Sequence, residues 1–148
     1  MSSSDTERSY VPVPDPADRP RKSRATVRVI MIDNNRTLLF EDSDPGVPGT
    51  SWWTTPGGGI DEGESEVHAA IREVAEETGY RLSDSELLGP IAIRHVVHGY
   101  SDLVIEQDES FFLAMVSPSS TLPARSSARM PCPLRLHPPW QLSQATPR

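Results

Sequence analysis

Apolar positions along residues 25–116 fall into short runs that predict five strands and one helix. Ala25 to Ile32 is rich in Val and Ile and ends at Asp33-Asn34-Asn35, residue types that tolerate the positive backbone angles of a tight turn. Thr37 to Glu41 returns from that turn, so the two runs predict a hairpin. After a loop over Asp42 to Gly49, Ser51 to Thr55 predicts a short strand that Pro56 and Gly57-Gly58-Gly59 end. The clearest element is a helix over Ser65 to Thr78, where Val67, Ile71, Val74 and Thr78 recur at helical spacing and Gly79 follows as a stop. Leu87 to Val97 and Leu103 to Val116 predict two more strands, the second interrupted in pattern at Gln107-Asp108-Glu109-Ser110.

Outside this block the pattern disappears. Residues 1–24 are polar, with Pro12, Pro14, Pro16 and Pro20 too closely spaced for helix or central strand, and predict a flexible leader without the features of a secretory signal. Residues 117–148 turn to Ser, Pro, Ala and Arg; their prolines break every helical stretch and predict a disordered tail. One domain over 25–116 is what a chain of 148 residues can hold. No apolar run reaches membrane-spanning length, and the single cysteine, Cys132, excludes an internal disulfide, a thiolate zinc site and a CxxC pair. The expectation is a cytoplasmic protein with no membrane partner.

Charge narrows the chemistry. The formal net charge is −7, and every charged residue after Val116 is an arginine, so the part that precedes it is more acidic still. Such a surface repels a phosphate backbone and argues against nucleic acid as a partner. An acidic protein that handles phosphates needs a cation between the two.

The predicted helix supplies a place for one. At about 100° per residue, Glu73, Glu76 and Glu77 stand at i, i+3 and i+4 and share a face, with Val67, Ile71 and Val74 directed the other way. Three carboxylates on one face repel unless something neutralises them, and hard oxygen donors at this density suit Mg²⁺ or Mn²⁺. A solvated face would need nothing more, yet these acids follow a Gly-rich loop, Glu64 eight residues before Arg72, and the Gly79 stop.

From Gly58, five residues lead to Glu64 and seven more to Arg72-Glu73-Val74-Ala75-Glu76-Glu77-Thr78-Gly79-Tyr80, a pattern that resembles the Nudix box throughout, with Tyr80 where an aliphatic residue is usual. At about 6% usage per fixed position, chance would produce it in a chain this long roughly once in a million. The resemblance implies an α/β (α+β) fold, a mixed sheet between helices with a catalytic loop-helix-loop. It implies Glu76 and Glu77 as main metal ligands, Glu73 as a further ligand or the base, Arg72 as the residue that orients the acids, and a metal-facing carbonyl near Gly58. Glu64 and Gly79 would be structural, and the extra acid that such enzymes recruit from outside the box would be Glu109. The implied reaction is Mg²⁺- or Mn²⁺-dependent hydrolysis of a pyrophosphate linkage in a nucleoside diphosphate joined to another group. The alternatives are a non-catalytic module that binds nucleotide and metal, and an inactive protein.

Other groups carry less. Gly57-Gly58-Gly59 and Gly63 fit neither GxGxxG nor GxxxxGK[ST]. Trp52 and Trp53 are adjacent on a strand, so at most one faces a pocket. His95 and His98 point to opposite sides of theirs, and His68 reads as a surface residue. Glu106, Asp108 and Glu109 fit a solvated loop as well as a site. Past Phe111-Phe112-Leu113-Ala114, Nudix proteins continue through further sheet and a second large helix, where this chain has its Pro-rich stretch. The expectation is an incomplete α/β/α sandwich with its C-terminal part missing or replaced, an uncovered apolar face, and room for a homodimer.

Overall fold

The computed structural model describes residues 11–116 and the backbone of 135–137. β1 (Arg21–Asp33) and β2 (Arg36–Ser43) form the expected hairpin, with Asn34 at φ 53° in the turn and the Arg36 guanidinium 2.7 Å from Asp33 across it. β1 begins before its apolar pattern does. Arg21 to Arg24, inside the segment read as a leader, are exposed yet pair in parallel with Val104 to Gln107, so ladder hydrogen bonds rather than burial extend the strand. Upstream of it the Val13 N–H donates to Ser101 O at 2.9 Å, and Pro16–Asp18 form a short 3₁₀ turn.

β3 (Ser51–Thr54) pairs with β2, β5 (Leu87–Gly99) with β6 (Val104–Met115), and β6 with β1 along its whole length. The strand order is β3-β2-β1-β6-β5. Two expectations change here. β3 does end before Pro56, but Gly57–Gly59, read only as a terminator, form a strand of their own, β4, antiparallel to β1 from Thr26–Gly59 to Arg28–Gly57. The pattern break at Gln107 to Ser110 is no break in the strand, because β6 runs unbroken through it with Gln107, Glu109 and Ser110 buried. Polar side chains face polar partners there, as described below.

One sheet face carries Val27, Val29, Met31, Phe112 and Ala114, all buried against Ala69, Ala70 and Val74 of α1 (Glu66–Thr78). Val67 and Ile71 pack beside them, so the helix faces inward as the spacing predicted, with Ala69, Ala70 and Val74 fully buried. Over the opposite face lies β3. Arg28 Nη1 donates to Thr55 O at 3.4 Å, and the Asp44 carboxylate, just past β2, accepts from Ser101 N at 2.7 Å at the β5–β6 turn. α1 is the α-helix among the described residues, and no helix among them is long and apolar enough to cross a membrane. On β5, at one end of the strand order, Leu88, Ile91, Ile93 and Val97 are exposed. The segment 117–148, read as a tail, lies outside the described residues except for β7 (Arg135–His137), whose backbone pairs with β2.

Gly57 is the tightest point in the sheet. Its φ is 150°, and a Cβ there would stand 2.0 Å from Val27 O, which is backbone and has no room to give. Gly59, two residues on, has nothing within 4 Å of the same position. Gly57→Ala should therefore lower stability by about 3 kcal/mol or more, roughly 10 °C or more in Tm, while Gly59→Ala stays within about 1 kcal/mol. Thermal unfolding followed by circular dichroism checks the pair; equal effects would mean that the close approach of β4 to β1 is not real.

Candidate active site

Local signals build the platform. A turn closes from Glu64 N to Asp61 O, with Gly63 at φ 78°, and Ser65 then caps α1 by accepting from His68 N at 3.2 Å. At the far end Gly79 adopts φ 74° and its N–H donates to Ala75 O, a left-handed cap that a glycine takes without strain. The carboxylate-bearing helix is thus limited to the turns that pack on β4 and β1.

Arg72 is the centre of the polar side. It donates twice to Glu64, from Nε at 2.9 Å and Nη2 at 2.8 Å, and Nη2 also reaches Gly59 O at 2.9 Å. Nη1 donates to Glu73 at 2.8 Å and approaches Glu76 at 3.5 Å. The paired hydrogen bonds with Arg72 hold the Glu64 carboxyl below its ordinary range, and the same bonds hold the guanidinium firmly protonated. One side chain therefore ties the Gly-rich strand, the loop before the helix and two of the three box acids together.

Glu77 is placed differently. Its carboxylate accepts from Gly57 N at 2.9 Å, and burial pushes its pKa up to about 7, helped by the neighbouring charges of Glu73 and Glu76 and opposed by the Gly57 N–H and by Arg28. Glu73 lies beneath Gly58, where a Cβ would come within 2.5 Å of its carboxylate. Glu76 is exposed. The three acids thus share one electrostatic field, but among the described residues no group of three or more His, Cys, Asp or Glu is arranged to hold a metal ion. Arg72 is the cation among them instead, and the Gly57 N–H turns Glu77 toward the sheet.

Glu109 is not part of this group. It is buried on the other sheet face, accepting from Arg28 Nε at 3.2 Å, from Gln107 Nε2 at 3.0 Å and from Arg94 Nε at 2.8 Å, with a further contact to Arg94 Nη2. Two guanidiniums and an amide occupy its lone pairs. Asp108 and Glu106 both bind His95, at 2.7 and 3.3 Å, on the surface; these contacts raise the imidazole pKa. His98 faces away from His95, as strand alternation requires, and its ring lies 4.8 Å from Trp52 and 4.4 Å from Tyr100. Trp53 is exposed. Arg28, Arg94 and Tyr100 were not singled out by sequence: the Glu109 partner of the two arginines is 81 and 15 positions away, and Trp52 is 48 positions from Tyr100.

The NUDIX domain pattern matches residues 22–147. An RNA pyrophosphohydrolase of Psychrobacter sp. is 30% identical over 106 residues, covering 66% of this chain and 59% of the relative. Nudix hydrolase 8 of Arabidopsis thaliana is 29% identical over 114 residues, covering 75% of this chain and 29% of the relative. The chain thus spans between 29% and 59% of the length of these two curated relatives. Among solved structures, the E. coli dihydroneopterin triphosphate pyrophosphohydrolase superposes with a TM-score of 0.50 at 22% identity, over 66% of this chain and 71% of that one, a likeness of fold. With the domain pattern extending over most of its length, from the first residues of β1 to beyond β7, the chain belongs to the NUDIX family.

Proposed function

We propose that the chain hydrolyses a pyrophosphate linkage in a nucleoside diphosphate joined to another group, working in the cytoplasm with Mg²⁺ or Mn²⁺. The observation that carries this reading is the placement of Glu73 and Glu77 at the Gly57-Gly58 backbone with the exposed Glu76 beside them on α1, and with the Glu77 proton affinity lifted by its surroundings. Burial is the main cause of that rise, and the charges of Glu73 and Glu76 add to it; a small hard cation beside the three acids would offset both. The donors suit that cation, since carboxylate and backbone oxygens are the ligands Mg²⁺ prefers.

In this reading Glu76 and Glu77 are the principal ligands, Glu73 a further ligand or the base, and the backbone at Gly58 a carbonyl donor. The cation would supply charge neutralisation at the phosphates and lower the pKa of an attacking water. Arg72 keeps Glu73 and Glu76 within its reach and would yield to the cation without leaving its bidentate hold on Glu64. As the base, Glu73, one of the less exposed box acids, would take a proton from a water near Gly58. Names such as RNA pyrophosphohydrolase among the relatives support the bond type. The substrate is a small phosphoanhydride; the net charge of −7 speaks against a long nucleic acid.

Glu77→Gln should reduce Mg²⁺-dependent turnover by roughly a hundredfold or more, with folding retained. Release of the nucleotide product from a panel of sugar nucleotides, ADP-ribose, dinucleoside polyphosphates, oxidised nucleoside triphosphates and coenzyme A, assayed with Mg²⁺, Mn²⁺ and chelator, checks it. Unchanged turnover in the variant would remove the proposed site.

Titration gives a second expectation. The Glu77 pKa is raised from 4.5 to about 7 on folding, so its protonation favours the folded state below pH 4.5 and that contribution fades as pH rises through 7. A cation binds only the ionised form, so Mg²⁺ affinity should climb over the same interval. Denaturant titrations in chelator between pH 5 and 8 should show wild type losing stability relative to Glu77→Gln, while calorimetry shows Mg²⁺ uptake strengthening with pH in wild type alone. Parallel pH profiles for the two proteins would contradict the assignment.

A further inference from the structure

β2 changes partner halfway along its length. It pairs with β1 at Asp33–Arg36 and Ile32–Thr37, and from Phe40 to Ser43 it pairs with β3 instead. The backbone of β7 meets the first half too, at Thr37 to Leu39. Residues 40–54 therefore form a two-stranded ribbon that leaves the main sheet and folds back over the face opposite α1. Such a ribbon has little stability of its own. Apolar burial does not fix it in place: among residues 40–54, all of them described, Asp44 is the buried one, Phe40, Trp52 and Thr54 are half-buried, and the others are exposed.

Three points hold the ribbon. At its root the Val29 N–H donates to Pro56 O at 2.8 Å and Arg28 Nη1 to Thr55 O at 3.4 Å. Partway along, the Trp52 ring rests 4.8 Å from His98 and 5.8 Å from Tyr100. At the tip the Asp44 carboxylate accepts from Ser101 N at 2.7 Å and from the Ser101 hydroxyl. Each side of that last contact is braced within its own part. The Gly46 N–H donates to the same carboxylate at 2.9 Å and the Val47 N–H to Asp44 O at 3.0 Å, so the tip holds its shape. Ser101 is secured at the β5–β6 turn, where its carbonyl accepts from Val13 N at 2.9 Å.

The polarity of the tip contact decides what it can do. Apolar surfaces that separate meet water at a cost proportional to their area, whereas a carboxylate and its donors are rehydrated when they part, and the net hold is small. An element fixed at its root and fastened at its tip by one carboxylate belongs to the low-stability class from which lids are drawn.

We propose that residues 40–54 are a hinged lid, turning at Leu39–Phe40 and Thr54–Thr55 and latched by Asp44 on Ser101, which opens over the His98 side of the sheet while β1, β6 and α1 stay in place. The lid depends neither on which bond the box cleaves nor on a cation, and its test uses neither substrate nor metal.

Hydrogen exchange of the full chain in chelator, read by nuclear magnetic resonance, gives the first measurement. In the wild type the Ser101 amide, released whenever the latch opens, should exchange at a rate that low denaturant barely changes, while the Val29 amide at the root exchanges only with global unfolding. Modification of histidines by diethyl pyrocarbonate gives the second. Asp44→Ala should speed reaction of His98, which lies under Trp52, by roughly tenfold or more, with exposed His95 on the same strand changing less than about twofold and Val29 protection retained. Ser101→Ala removes the hydroxyl and keeps the N–H, so it should act in the same direction and less strongly. Equal denaturant dependence at Ser101 and Val29 in the wild type would make the ribbon a fixed part of the fold and overturn the lid. So would an unchanged His98 rate in both variants, or a faster one accompanied by loss of Val29 protection. Should Asp44→Ala fail to fold, the wild-type exchange and Ser101→Ala decide the matter.

Discussion

The backbone of Gly57 and Gly58 passes closer to its neighbours than any side chain would permit, and the rest of the site is arranged around that approach. On one side Gly57 lies against the Val27 carbonyl of β1; on the other Gly58 lies against the Glu73 carboxylate of α1. A three-residue strand without side chains is what allows a helix bearing acids to reach the sheet with those acids pointing at backbone. The small residues Ala69 and Ala70 serve the same end from the helix side, since bulk there would lift α1 away from the sheet.

Closeness of this kind creates an electrostatic problem that the chain meets with arginine. Arg72 engages Glu64, Glu73 and Glu76, and Arg28 with Arg94 engages Glu109, so on each face of the sheet guanidinium is the countercharge to carboxylate. The two centres differ in balance. Around Arg72 acids outnumber the cation, and their charge adds to the burial that raises the Glu77 pKa. Around Glu109 cations outnumber the acid.

The helix and its limits were legible in the sequence because their causes are local. Ser65, Gly79 and the recurrence of Val67, Ile71 and Val74 act within a few residues, and the observed helix runs from Glu66 to Thr78. The hairpin at Asn34 was legible for the same reason. What could not be read was pairing at a distance. Arg21 to Arg24 look like linker until β6 lies beside them, and Gly57–Gly59 look like a terminator until β1 does. Glu109 illustrates the limit most clearly: as a single acid in a polar run it suggested a solvated loop or an extra acid for the site, and only the parallel pairing of β1 with β6 brings Arg28 to it across 81 positions.

That last case also shows why the hydrophobic pattern along β6 misled. Alternation predicts a strand when one face is apolar and the other meets water. β6 has apolar Phe112 and Ala114 toward α1, but its other face presents Gln107 and Glu109 to arginines under β3. Both faces are buried, one by packing and one by paired charge. A run of polar residues in such a strand is therefore not a gap in the sheet. It marks the stretch where the sheet gives up apolar burial for a fixed array of charges, and in this chain that stretch lies between the aromatic group at Trp52 and the acids of α1.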